Sequence, residues 1–214
     1  MLSLAPSAHL AVVDDDVVFL DVASDRYLCV PGGRDLLRPS PDLSGVAPSH
    51  PDVGEALRAA GLLTTADVEA RSLPGRPRAD LPEGEPPSLT FADARRLLGA
   101  VFDALTRYRG RPLSDILAFA AAPGAAAPQA DPAEVVRLAR LYRQVVVWLP
   151  LPRKCLIRSF VLLRFLQRSG LGARWVFGVR TWPFSAHCWL QMGDVVLDDF
   201  AERLVGYEPI LAVG

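Results

Sequence analysis

The sequence has no run of about 18 uninterrupted apolar residues; the apolar stretches at 117–127 and 145–149 are broken by Pro and Gly or are too short, so no transmembrane helix is expected. The opening MLSLAPSAHLAVVDDD lacks a basic segment and meets three aspartates before any long apolar run. Neither a signal peptide nor a transit peptide is read there, and the expected compartment is the cytoplasm. Cysteine is scarce. Cys29, Cys155 and Cys188 cannot all pair within one chain and show no C-x-x-C spacing, so neither a disulfide framework nor a zinc site is suggested, and no cofactor is expected. Free thiols suit a reducing cytosol.

Net charge is also nearly absent, at −1, but it is unevenly spread: residues 1–70 hold eleven Asp/Glu against four Arg. An acidic N-terminal module repels phosphates, which makes nucleic acid a poor partner. What the chain does have is apolar content, half of its 214 residues, enough to bury one sizeable core or two small ones.

From His9 to Val30 three short β-rich runs are separated by DDD and ASD, both turn-prone, and predict an antiparallel meander. A Pro/Ser-rich stretch (31–51) follows, then a helix in PDVGEALRAAGLLT that stops at Gly61, closing a β-then-α module over residues 1–71. Residues 72–89 are rich in proline and nearly free of apolar periodicity, so an extended, unpacked linker is expected there. The remainder, 90–214, opens helical. Thr90 caps a helix whose stripe is Phe91, Ala94, Leu97, Leu98, Val101, Phe102 and Leu105; APGAAAPQADP is a loop; Asp131 and Pro132 start another helix reaching about Trp148. After LPLPR, which cannot be helical, KCLIRSFVLLRFLQRSG forms a helix with Cys155 in its first turn. ARWVFGVR, AHCWLQM and VVLDDF then read as strands, the last two joined at Gly193-Asp194.

A thiol is a nucleophile only as thiolate, and a helix N-terminus stabilises that anion through unpaired N–H groups and the positive end of the macrodipole. Cys155 has this position, with Arg153 and Lys154 beside it. A lone cysteine is usually just a small buried hydrophobe. Here it is followed by His187 on a strand and by Asp198 and Asp199 beyond a hairpin, the order of a nucleophile, a base and an orienting acid. A two-residue turn at Gly193-Asp194 places Asp198 opposite Trp189 and on the face of His187. A three-residue loop, 192–194, with a glycine bulge pairs 187 with 199 instead. Ser159 shares the face of Cys155 and is expected to bond back to the helix backbone. Trp189 is read as core, Cys29 and Cys188 as inert, and His9 and His50 as solvated.

The segments CLIRSF (155–160), GARWVFGV (172–179), HCWLQ (187–191) and VLDD (196–199) resemble the leader peptidases of lasso-peptide biosynthesis, which have a transglutaminase-like, papain-related cysteine protease domain. Members commonly read H-A-W-(V/L)-E where this chain has Cys188 and Gln191. The resemblance favours Asp199 as the acid of a Cys155/His187/Asp199 triad. VVFLDVASDRYLCV is similar to the small winged-helix-like β3α3 recognition domain, PqqD-like, of ribosomal-peptide maturation enzymes. Together they imply an α+β chain: a leader-recognition domain (1–71), the Pro-rich linker (72–89) and a transglutaminase-like cysteine protease domain (90–214). The implied partners are the leader of a ribosomally made precursor peptide and an ATP-dependent, asparagine-synthetase-like lasso cyclase, with no nucleic acid and no membrane. A small meander ends in an edge strand, here Arg26, Tyr27, Leu28, Cys29 and Val30, whose free backbone groups suit an extended peptide. Two other readings use the same residues: a transglutaminase- or arylamine-acetyltransferase-like acyltransferase, and a non-catalytic peptide-binding adaptor.

Overall fold

The VVFL run in the meander is apolar at consecutive positions, more than a strand with one wet face needs. The computed structural model, which describes residues 1–66, 71–121 and 131–214, gives the reason. After β1 (Leu2–Leu4), the strands β2 (Ala8–Val13), β3 (Asp16–Asp21) and β4 (Arg26–Val30) form an antiparallel sheet in the order β2-β3-β4. Successive side chains point to opposite faces. Leu10, Val17 and Phe19 pack with Leu4, Val46 and Leu57, whereas Ala11, Val13, Val18 and Leu20 enter a larger core with Phe160, Leu162 and Ile210. The meander is therefore a wall shared by two cores, and β4 is one of its two outer strands, with no further strand paired to it among the described residues.

The chain continues through α1 (Gly33–Leu36), β5 (Leu37–Pro39), β6 (Gly45–Pro48), α2 (Pro51–Ala59) and β7 (Leu63–Thr64). A second sheet, ordered β5-β6-β1-β7, completes the N-terminal unit. The expected β3α3 count is thus not what is found: among the described residues there are seven strands and two helices before residue 67. Prolines 39, 41 and 48 forbid a long helix in the 31–51 stretch, and short strands form instead. The α2 stop is as expected, with Gly61 at φ 74°.

The proline-rich segment is extended but not free of packing. Its strand β8 (Ala79–Asp80) pairs in parallel with a strand of the five-stranded sheet described below, and Leu81 is buried in the larger core. Gly75 O accepts from Gln191 Nε2 at 3.0 Å, the Arg78 and Ala79 N–H groups donate to Asp194 O, and Arg140 donates to Pro82 O. Proline removes donors from this strap, yet its carbonyls stay available, and it is through carbonyls that much of it is held.

Beyond the strap come α3 (Phe91–Asp103), a π-helical turn (Ala104–Tyr108), α4 (Leu113–Ala120), α5 (Pro132–Val145), a 3₁₀ turn (Val146–Trp148) and α6 (Cys155–Arg168). The caps follow the sequence: Thr90 and Asp93 form a capping box, and Asp131 accepts from Ala133 N–H with Pro132 in the first turn. The expected APGAAAPQADP loop lies outside the described residues except for Asp131 and Pro132. The buried face of α3 follows the expected stripe only in part, at Leu97 and at Val101, which packs against the core. Asp93, Leu97, Ala100 and Asp103 point inward, while Phe91, Leu98, Phe102 and Leu105 are exposed. Buried Asp93 takes two hydrogen bonds from Arg137, and Asp103 is gripped by Arg164 and Arg168, so ion pairs join α3 to α5 and α6.

The chain ends in β9 (Arg174–Arg180), β10 (Ser185–Met192), β11 (Val195–Val196), α7 (Ala201–Leu204) and β12 (Glu208–Val213), the last two elements being unforeseen. The five-stranded sheet runs β12-β9-β10-β11-β8, and α6 packs on β10. Gly178 lets the buried Trp189 ring cross β9: a Cβ there would lie 2.7 Å from that ring.

Candidate active site

Helix α6 begins at Cys155 because the prolines before it exclude a helix and Lys154 adopts extended backbone, φ −102° and ψ 137°. Lys154 offers no side-chain cap, and among the described residues no side chain caps the first-turn N–H groups. Cys155 is half-buried beside β10. Its thiol is pulled down to about 4: a hydrogen bond from the Cys188 thiol is the largest influence, burial opposes it, and His187 contributes a further hydrogen bond and its charge. Cys188 itself is buried, and that burial pushes its thiol well above the usual range.

His187 Nε2 lies 2.6 Å from Asp199 Oδ2, which leaves Nδ1 as the ring nitrogen toward Cys155. Burial disfavours the imidazolium, but the bonds and charges of Asp199 and Cys155 outweigh it and raise His187 to about 10. The ring is flanked by Tyr207 and Trp189, at 5.5 and 6.3 Å between centroids. Burial likewise works against ionised Asp199, but the His187 bond and a 2.8 Å bond from Phe200 N–H hold its carboxyl below the usual range. Both shifts run in the direction that favours thiolate with imidazolium.

The hairpin register and the bend that follows it together set where the two aspartates lie. Gln191 pairs with Val196 and Met192 with Val195, so the turn is the two-residue one and the three-residue, bulged loop is not formed. That register alone puts Asp198 on the His187 face. The ladder ends, however, after the Leu197 N–H bond to Leu190 O, and the chain bends over 197–199. Asp198 turns inward and accepts from Leu190 N–H at 2.8 Å and Ser159 Oγ at 2.5 Å; Asp199 is delivered to His187. Ser159 thus bonds across to Asp198 and not back to its helix. Burial lifts Asp198 to about 6, against those two bonds.

Arg143 of α5, which the sequence reading missed, holds the bend. Its Nε donates to Leu197 O at 3.1 Å, its terminal nitrogen donates to Asp199 O, and its guanidinium lies 5.1 Å from the Phe200 ring. Nothing local marks it, because its partners are backbone carbonyls more than fifty residues away. These groups line a cleft of about 460 Å³ together with Arg153, Arg158 and Arg203.

The edge strand stands close by. Tyr27 packs on Phe184, at 5.5 Å between ring centroids, and is pushed up to about 12 chiefly by burial, with the charges of Cys188, Asp25 and Cys155 adding to it. Arg26 and Leu28 are exposed, whereas Tyr27, Cys29 and Val30 are half-buried. His50 is exposed as expected; His9 is half-buried, and burial together with Arg71 lowers it to about 4.

Residues 98–212, more than half of the chain, match the family described as the transglutaminase-like superfamily. The chain belongs to that superfamily. It is also similar, at 42% identity over 45 residues, to the microcin J25-processing protein McjB of Escherichia coli. That stretch covers 21% of this chain and 22% of the relative, about a fifth of each. No solved structure matches the chain significantly. No described helix is long and apolar enough to cross a membrane.

Proposed function

We propose that the chain is a cysteine peptidase that binds the leader of a ribosomally synthesised precursor peptide and hydrolyses it from the core during lasso-peptide maturation. The observation that carries this is the Cys155 thiol beside His187, with His187 bonded to Asp199 at 2.6 Å. The Cys155 thiolate attacks the scissile carbonyl, and the N–H groups of the α6 first turn receive the developing oxyanion. Imidazolium His187 protonates the leaving amine, which becomes the new N-terminus of the core. The now neutral His187 takes a proton from water, whose oxygen attacks the thioester; the leader carboxylate leaves and thiolate with imidazolium is restored. Asp199 holds the imidazole orientation throughout.

The leader would add a strand along Arg26–Val30, an outer strand of the meander, which lies near the cleft through Tyr27. Residues 1–71 would then serve as the recognition domain, and an ATP-dependent, asparagine-synthetase-like cyclase would take the freed core onward. The relative's description as a processing protein supports this setting.

Mass spectrometry of a precursor incubated with the full chain tests it. Two fragments whose masses together exceed the precursor by one water, absent with Cys155→Ala, are expected. Incorporation of an added amine in place of water would favour the acyltransferase. Normal leader binding and normal biological output with Cys155→Ala would favour the adaptor.

A further inference from the structure

The cleft over Cys155 is lined by four arginines, Arg143, Arg153, Arg158 and Arg203, against two aspartates. Both aspartates are engaged, Asp199 with His187 and Asp198 with Ser159 and Leu190 N–H. Arg143 is committed to the carbonyls of Leu197 and Asp199, and Arg203 lies 3.6 Å from Asp199 with its guanidinium over Phe200. Arg153 and Arg158 differ. Among the described residues neither has an acidic side chain within ion-pair distance. They flank the thiol along the start of α6, one just before Cys155 and one a turn beyond it.

The negative charge of a Cys155 thiolate is matched by imidazolium His187, so it does not neutralise these two guanidiniums. Uncompensated cations in a cleft with low-dielectric walls attract an anion more strongly than on an open surface. A guanidinium also matches the planar fork of a carboxylate. We propose that the cleft selects peptides bearing an acidic side chain next to the bond that is cut, with Arg153 and Arg158 as the recognition groups. The placement of the acid next to the cut bond rests on the peptidase reading; the charge preference does not.

Alkylation of the full chain by iodoacetate and by its neutral analogue iodoacetamide separates the two ideas. In each reaction the Cys155 thiolate displaces iodide, and mass spectrometry of the Cys155 peptide gives the rate. At low salt the iodoacetate-to-iodoacetamide rate ratio at Cys155 should exceed that of N-acetylcysteine amide by on the order of tenfold. His187 contributes to that excess, so the arginines are isolated by Arg153→Gln combined with Arg158→Gln, which should lower the ratio at least about threefold. In 1 M salt, where the screening length is about 3 Å, the excess should largely vanish. A ratio equal to that of the free thiol, or unchanged in the double variant, overturns the proposal. A Cys155 inert to both reagents would sink the peptidase reading instead. Calorimetric titration of N-acetyl-triglutamate amide against its glutamine isostere then still decides the charge preference: tighter binding of the acidic peptide upholds it, and equal or weaker binding overturns it.

Discussion

Replacing Asp199 by Asn removes a charge-assisted bond to His187 Nε2 that is 2.6 Å long and largely shielded from water, with side-chain exposures of 24% and 16%. A hydrogen bond to a charged group contributes about 1.5–3 kcal/mol, and one pKa unit corresponds to about 1.4 kcal/mol, so His187 should fall by roughly one to two units from its value of about 10. The sign follows from linkage: Asp199 favours imidazolium, so the acid form needed to protonate the leaving amine is lost at lower pH once Asp199 is gone. Wild-type hydrolysis should rise as Cys155 ionises near 4 and fall as His187 deprotonates near 10. In Asp199→Asn the alkaline limb should move down by about one to two units, and the plateau should drop by roughly 10²- to 10⁴-fold because the imidazole loses its orienting partner. The assay is kcat/KM for a precursor peptide across pH, with His187 ring-proton NMR reporting the titration directly. Asp198→Asn is the control, since Asp198 bonds Ser159 and Leu190 N–H and not His187. If Asp198→Asn moves the His187 titration and Asp199→Asn leaves it within half a unit, the assignment of the orienting acid is wrong.

Arg143→Ala should release the bend that delivers Asp199, lowering hydrolysis on the order of tenfold or more while Cys155 still alkylates; unchanged hydrolysis would show that Arg143 does not position the acid. Half-buried Asp198 is raised from 3.8 to about 6, so the folded state binds the extra proton between those values and stability should fall as pH rises through that window, by up to roughly 3 kcal/mol. Urea unfolding of wild type and Asp198→Asn from pH 3.5 to 7 checks this, and parallel curves would refute it. Deleting residues 1–66 should expose the core that Ala11, Val13, Val18, Leu20 and Val22 now cover, a loss of about 5–10 kcal/mol and comparable to the whole stability of a domain; a fragment melting within a few degrees of the full chain would show that the core is not shared.

What the sequence by itself determined is local. Turn chemistry at DDD and ASD set the meander, Thr90 and Asp131 set helix starts, and the LPLPR break forced a helix to begin at Cys155, because each depends on backbone preferences of adjacent residues. The order cysteine, histidine, aspartate was legible for the same reason. The rest depends on groups distant in the chain. Strict alternation does not reveal that the VVFL strand serves two cores, since apolar residues on both faces say nothing of what covers each. The α3 stripe misled in part because buried Asp93 and Asp103 are stable only through arginines on α5 and α6, partners no helical periodicity displays. The choice between Asp198 and Asp199 was likewise tertiary. Hairpin register favours the first, and a bend held by Arg143 from α5 presents the second to His187. Pairing rules hold only while the ladder lasts; once it ends, packing and long-range hydrogen bonds decide where a side chain points.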